Sequence, residues 1–419
     1  MTADVYTIAS GDSVYAGWPR PSVLNTVVFG GDSLTDPGYG ELHTGYGLNA
    51  RAGGVLKPIA NIGVAGHTVR NLLDRINNPW NAASPGLAGL GRIGFFECRI
   101  GTNNARGGVS ISAGMKTDYQ QLIAEVLTKY ADHFIMHAVP PLSAPDNGAG
   151  VNSFNAWLAS YCPTVPGCTF IDDTTGVNDG TGAWVATYKP ADGVHGGTKA
   201  AARMTADGSA PYNALILPLG LPSPVSRVAG DIYPANPQWV RNPHNTGTGG
   251  TNSIGSGSMP TYWNLGQYGS GYGASTLILA ADAGDSNTDP WLRVNPTSVG
   301  SSGYMQLVTY LNGRAITASD PAALDLVIEI RFNNFDATRF SMLRAFVYGY
   351  QNEKLTADTT KLQMGDAVMN GVQVLRTAIP RAGTKISHTG AQLNIELPSG
   401  AAFSGAMGSF DIRCATVRG

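Results

Sequence analysis

Two hydrophobic rhythms divide the chain. Up to about residue 220, short apolar runs rich in β-branched residues alternate with stretches whose apolar residues recur three and four apart. Thr26–Gly30, Ile93–Ile100, Phe134–Val139 and Thr169–Ile171 read as strands, the third stopped by Pro140-Pro141. Val69–Ile76, Met115–Tyr130, Asn155–Tyr161 and an Ala-rich stretch opening at Thr198–Thr205 read as helices. Strand-helix alternation at this spacing predicts a parallel sheet covered by helices. From Ser275 onward the period shortens. Thr276–Ala280, Gly303–Leu311, Leu324–Phe332, Ser341–Gln351, Gly371–Thr377, Ala391–Leu397 and Gly408–Val417 each read as strands between polar turns. Such a series predicts an antiparallel sandwich or jelly roll. Between the two textures, Pro222, Pro224, Pro234 and Pro237 precede a Gly/Ser/Thr/Asn-rich stretch, with Tyr233 and Trp239 among them. This segment reads either as a linker or as a long loop wrapped on the preceding domain. The expected organisation is an N-terminal segment 1–22, an α/β domain 23–220, a connection 221–259 and a β domain 260–419. A domain of about 200 residues can bury its own core, so the first is expected to stand alone.

The first predicted strand carries the chemistry that stands out. It runs into Gly30-Gly31-Asp32-Ser33-Leu34, delivering a hydroxyl into the turn after a rigid strand, where α/β enzymes place a nucleophile. Gly-Asp-Ser is also ordinary turn chemistry, and Gly11-Asp12-Ser13 repeats it after a weaker apolar run. A serine nucleophile needs a base and an orienting partner. Asp192-Gly193-Val194-His195 offers both within one bend, with glycine to permit it. Acyl transfer also needs donors for a developing oxyanion. Asn61-Ile62-Gly63-Val64-Ala65-Gly66-His67-Thr68 can present a bare N–H, and Gly101-Thr102-Asn103-Asn104 a side-chain amide.

In this order, Gly-Asp-Ser-Leu, a glycine loop, Gly-x-Asn and Asp-x-x-His resemble the SGNH (GDSL-type) hydrolases, over about Thr26 to Leu217. The resemblance implies a three-layer, flavodoxin-like parallel sheet. It implies Ser33 as nucleophile, His195 as base and Asp192 as its partner. The oxyanion donors would be the Ser33 and Gly66 N–H groups and the Asn103 amide. The chain departs from the family pattern at Asn104, where the family usually has Asp, at His67, where it often has Asp, and at Gly196, where proline often stands. The implied activity is hydrolysis of small acyl esters, acetyl on a carbohydrate being the expected substrate, with no cofactor and no metal. The catalytic head joined to a β domain also resembles bacteriophage tail spikes that deacylate surface polysaccharide, in which case a homotrimer is expected. A binding module with a vestigial site is the third reading.

Composition narrows the partners. A net charge of −2 argues against nucleic acid and anionic membranes, and 13% charged residues beside 54 glycines fit a polar, uncharged surface. No apolar run is long enough to insert into a membrane. Met1–Tyr6 does not read as a secretory signal, so the expected location is a virion, or outside the cell after signal removal, or otherwise the cytoplasm. Cys98 reads as a buried thiol, Cys414 as a core strand residue, and Cys162 and Cys168 as a pair able to bridge in an oxidising setting. His67, His133, His137 and His244 raise the question of a metal. His133 and His137, four apart on a strand, would lie about 13 Å apart, too far to share an ion. Asp172-Asp173 reads as a solvated turn. Tyr262, Trp263, Tyr268 and Tyr272 read as either packing or sugar-stacking aromatics.

Overall fold

The computed structural model describes residues 24–37, 43–80, 82–221, 224–225, 245, 247–283, 289–310, 323–348, 360–380 and 392–418. Ser13, Tyr233, Trp239 and His244, together with most of the proline-rich connection, lie outside the described residues. In chain order the first half holds β1 (Thr26–Gly31), α1 (Gly45–Arg51), β2 (Lys57–Asn61), α2 (Val69–Arg75), β3 (Ile93–Arg99) and α3 (Thr102–Ala105). There follow α4 (Ala113–Lys129), β4 (Ala131–His137), α5 (Val151–Tyr161), β5 (Cys168–Ile171) and α6 (Thr198–Ile216). The sheet order is β2-β1-β3-β4-β5. The pairs β1–β3, β3–β4 and β4–β5 are parallel, as the alternation predicts. β3 is buried along its whole length, which is why it reads as a continuous apolar run rather than an alternating one.

The register sets the carboxyl ends of these strands side by side. Gly31 lies opposite Arg99, Cys98 opposite Met136 and His137 opposite Ile171. The chain leaves β1 for β2 on one side while β3 lies on the other. That is the reversal of strand order at which open α/β sheets form a crevice.

The chain clusters into two compact units. One comprises residues up to His43, Ala60–Gly196 and Ala206–Pro222; the other comprises Thr44–Ile59, Gly197–Thr205 and Ser223–Gly419. The second unit holds β6 (Thr251–Asn252), β7 (Gly255–Gly257), β8 (Trp263–Tyr268), β9 (Gly273–Leu279), β10 (Trp291–Val299), β11 (Tyr304–Tyr310) and β12 (Ala323–Asp336). It continues with β13 (Met342–Tyr348), β14 (Thr360–Gln363), β15 (Val368–Pro380), β16 (Gln392–Pro398), β17 (Phe403–Ser404) and β18 (Ser409–Arg418), the strand that carries Cys414. They form a seven-stranded sheet, β15-β12-β18-β10-β9-β7 with β17 on β10, and a six-stranded sheet, β14-β13-β16-β11-β8-β6. One hydrophobic cluster joins the inner faces of both. Leu292, Ile328, Ile330 and Phe410 come from the first sheet, and Trp263, Leu265, Leu307 and Ile395 from the second.

The unit is a β-sandwich. Trp263 and Tyr272 are packing residues, whereas Tyr262 and Tyr268 are exposed. On β10, β12 and β18 the registered partners Arg293 and Arg331 both pair with the fully buried Asp411, so the cost of burying its charge is met from two sides. The strands β8, β10 and β14 lie outside the runs that the pattern marks. In β10, Pro296 interrupts the pattern at a bulge.

Helix α1 gives no helical signal in the sequence, since Gly-Tyr-Gly-Leu-Asn-Ala-Arg spends two positions on glycine, each costing about 1 kcal/mol against alanine. Packing inside the second unit stabilises it instead. Gly45 to Ala50 are all buried, and the helix lies against β14 and β15. Just beyond it, Gly54 has φ +65°, and a Cβ there would stand 2.7 Å from the Val374 carbonyl oxygen. Arg376 donates to the Val55 carbonyl at 3.1 Å.

The expectation of a self-sufficient domain 23–220 therefore meets an obstacle, because Thr44–Ile59 packs with strands from the far end of the chain. Truncation after Leu221 should expose the buried face of α1 and give an aggregating or partly unfolded product. Size-exclusion chromatography with circular dichroism checks this, and a monomeric product with a cooperative melt would refute it.

Candidate active site

Ser33 sits in the turn that follows β1. The Asp32 carbonyl accepts the N–H groups of Thr35 and Asp36, at 3.1 and 2.9 Å, and the Asp32 carboxylate accepts the Leu34 N–H at 3.1 Å. Gly31 must be glycine, because a Cβ there would lie 2.0 Å from the Arg99 carbonyl oxygen across the parallel pair. The turn is thus pressed against the end of β3 and leaves Ser33 little freedom.

His195 and Asp192 come from the loop between β5 and α6. Ser33 Oγ lies 2.8 Å from His195 Nε2, and His195 Nδ1 lies 2.6 Å from Asp192 Oδ2. Asp192 Oδ1 accepts the N–H groups of Val194 and His195, each at 2.9 Å. Burial acts to raise the Asp192 pKa, but the His195 hydrogen bond and these two N–H groups outweigh it and hold the carboxyl below its ordinary value. A carboxylate on Nδ1 requires that nitrogen to carry the proton, so Nε2 is the acceptor facing the Ser33 hydroxyl. Gly193 shapes the bend. Its φ is +74°, a Cβ would stand 1.8 Å from the Ser143 carbonyl oxygen, and its own carbonyl accepts the Ser143 N–H at 2.9 Å.

The glycine loop is stitched to the Ser33 turn by two side chains that sequence reasoning did not single out. Asn61 donates to the Thr35 carbonyl at 2.7 Å and accepts the Gly63 N–H at 2.9 Å. Asp36 accepts the Ala65 N–H at 2.7 Å. Gly66 follows with φ +78° and open space where a side chain would be. Asn103, in α3 just beyond β3, donates its amide to the His67 carbonyl at 3.0 Å, which orients it toward the same loop. Gly101, just before it, has φ +122°, and a Cβ there would meet the Tyr119 hydroxyl at 2.2 Å. Neither the Ser33 N–H nor the Gly66 N–H donates to any group among the described residues, and Asn103 uses only one of its two amide hydrogens. These N–H groups are therefore left unspent on the Ser33 turn, on the glycine loop that Asn61 and Asp36 tie to that turn, and on the amide that Asn103 turns toward the same loop.

A network of buried charge lies at the ends of the same strands. Arg99, at the end of β3, pairs with Asp173 just past β5. His137, at the end of β4, stands 3.2 Å from Asp173 and 2.9 Å from Glu97 of β3, whose second oxygen accepts the Tyr212 hydroxyl at 3.3 Å. Asp173 is fully buried. Its reading as a solvated turn is corrected: the side chain turns inward because a buried guanidinium and imidazole await it, and only Asp172 caps the turn, accepting from Thr174. Desolvation acts to lower the His137 pKa, yet the Asp173 and Glu97 carboxylates overcome it and the pKa is raised. Asp32, buried beside Ser33, is pushed up to about 6 by desolvation, which the Leu34 N–H, Thr102 and Arg99 only partly offset.

His133 stacks on Phe95 at 5.0 Å. Among the described residues, no group of three or more His, Cys, Asp or Glu side chains could hold a metal ion, and no helix is long and apolar enough to cross a membrane. Cys98, Cys162 and Cys168 are buried free thiols.

No family model and no curated protein matches the chain. Solved structures are similar over just under half of its length. A GDSL-like lipase from Bacteroides thetaiotaomicron is 18% identical, with 46% of this chain and 89% of that chain covered and a TM-score of 0.34. A carbohydrate esterase family 3 protein from Talaromyces cellulolyticus is 13% identical over 47% and 99%, at a TM-score of 0.36. A carbohydrate acetylesterase family member from Sinorhizobium meliloti is 21% identical over 47% and 100%, at 0.32.

The charge network makes a pH-dependent prediction. A raised His137 pKa contributes stability that is fully present below the unfolded value of 6.5 and is lost as pH rises through the higher folded value. His137→Gln should cost on the order of 3 kcal/mol or more at pH 6, since it leaves two buried carboxylates against one guanidinium. The gap to the wild type should narrow above pH 7. Denaturant melts across pH 5–9 measure it, and a gap that does not change with pH would show that His137 is neutral in the fold.

Proposed function

We propose that this protein is a serine ester hydrolase acting through an acyl-enzyme. The observation that carries the reading is the continuous chain Ser33 Oγ–His195 Nε2–Asp192, with spacings of 2.8 and 2.6 Å. Ser33 attacks the acyl carbon while His195 Nε2 takes its proton, and Asp192 steadies the imidazolium that results. The carbonyl oxygen becomes an oxyanion and receives the Ser33 N–H, the Gly66 N–H and the Asn103 amide, each such donor lowering the barrier by about 3–4 kcal/mol. As the carbon–oxygen bond to the alcohol breaks, His195 returns the proton to the leaving oxygen. Water then repeats the sequence on the acyl-Ser33 ester and releases the acid.

The substrate we favour is a small acyl ester, acetyl above all, on a carbohydrate. In support, the chain carries few charges, and the sandwich presents the exposed Tyr268 stacked on Tyr304 at 5.2 Å, a pairing suited to a sugar face. Deacylation of a surface polysaccharide by a phage tail spike is the particular setting in which the two units would serve one purpose, with a trimer as its expected assembly.

Ser33→Ala should abolish hydrolysis of p-nitrophenyl acetate, by several powers of ten, with an unchanged melting curve. Ser13→Ala should retain activity, and the reverse result would overturn the assignment of the nucleophile. Asn103→Ala should lower kcat by about 10²–10³ with little change in KM, because its amide serves charge that exists only in the transition state. A rise in KM alone would make Asn103 a ground-state contact instead.

A further inference from the structure

One side chain at the site is held in a single protonation form by its neighbours. His67 follows Gly66 directly, and its backbone carbonyl holds the Asn103 amide. Its Nδ1 lies 3.1 Å from Arg75 Nε. A guanidinium can only donate, so Nδ1 is an acceptor, and neutral His67 must carry its proton on Nε2. Arg75 is itself buried and anchored. It donates to the Pro85 carbonyl and, at 3.4 Å, to the Gly31 carbonyl two residues before Ser33. The same guanidinium thus ties the His67 ring to the strand end that carries the nucleophile.

Protonating Nδ1 would abolish the Arg75 hydrogen bond and set two cations together. Desolvation and Arg75 lower the His67 pKa, with Asp36 the one opposing charge. The Nε2–H is therefore a standing donor, and it bonds to no group among the described residues while the ring is partly exposed.

We propose that the His67 Nε2–H is a specificity contact, donating to a hydroxyl or ether oxygen on the alcohol part of the ester. This rests on the serine hydrolase reading. An acetyl group offers no polar atom beyond its carbonyl oxygen, to which the proposed mechanism already assigns three other donors. A fourth donor one residue farther along the loop gains a partner only when the alcohol carries a further oxygen beyond the one in the ester bond. The site would accordingly select polyhydroxylated alcohols over bare aryl or alkyl ones.

Nitrogen NMR of the His67 ring and paired kinetics test this. The ring should be in the Nε2–H form at neutral pH. In the Ser33→Ala protein, its Nε2 resonance should move when a monoacetylated methyl glucoside is added. His67→Ala should lower kcat/KM for that glucoside about five- to tenfold, the size of one neutral hydrogen bond, mainly through KM. Phenyl acetate, whose alcohol has no oxygen beyond the one in the ester bond, should change less than about twofold, and His67→Gln should recover most of the loss on the glucoside. An Nδ1–H ring, an Nε2 resonance that ignores the glucoside, or equal losses on both esters would overturn the proposal. If the wild type turned over neither ester, the hydrolase reading would fall, and the ring tautomer and ligand shift in Ser33→Ala would still decide the His67 contact.

Discussion

Glu97, Arg99, His137 and Asp173 are each exposed by less than 5%, and they meet where three parallel strands end. Isolated, any of these charges would be too costly to bury. Together they form two carboxylates against a guanidinium and an imidazole biased toward its cationic form, so each charge is compensated by its neighbours. The pairs run between β3, β4 and the residue just past β5, which resists any slip of one strand end against the next. The turn that bears Asn103 starts from one of these ends, that of β3, and the Ser33 turn follows β1, whose last residue Gly31 is registered with Arg99, so both depend on the end of β3 staying in place. A site requiring sub-ångström placement is thereby mounted on an electrostatic clamp that a purely apolar core would not supply.

Much of the α/β fold was legible because it obeys simple periods. β1 and β3 are buried runs, α4 has apolar residues at helical spacing, and prolines close β4. Ser33, His195 and Asp192 were legible as chemistry because a hydroxyl after a strand and a carboxylate three residues before an imidazole are local patterns. What could not be read is non-local. Asp173 looks like turn chemistry until Arg99 and His137, each on a different strand, are brought against it. The same holds for Asn61, whose amide has meaning only once the Thr35 carbonyl is beside it, and for Arg75, which resembles any surface arginine at a helix end. Helix α1 was illegible for another reason, since tertiary packing there overrides a glycine-rich propensity.

The glycines at the site do separate physical jobs. Gly31 and Gly101 are required by close approach, one to the Arg99 carbonyl and one to the Tyr119 hydroxyl, whereas Gly66 has empty space around it. At Gly66 a left-handed backbone, not crowding, excludes other residues. Crowded glycines thus fix the strand ends of the site, while Gly66 is held to glycine by its backbone alone.

The excursion of Thr44–Ile59 into the sandwich has a consequence in time. During synthesis α1 leaves the ribosome early, but its partner β15 begins only at Val368. At roughly 5–20 residues per second, tens of seconds separate the two. For that interval the buried face of α1, with Tyr46 and Leu48, has nothing from β14 or β15 to cover it. The first unit can form its strands while this excursion stays open, but the segment can settle only after β15 has emerged. The nascent chain therefore carries an unsatisfied apolar face through most of its own translation, an interval in which chaperone occupancy would be concentrated at the loop between β1 and β2.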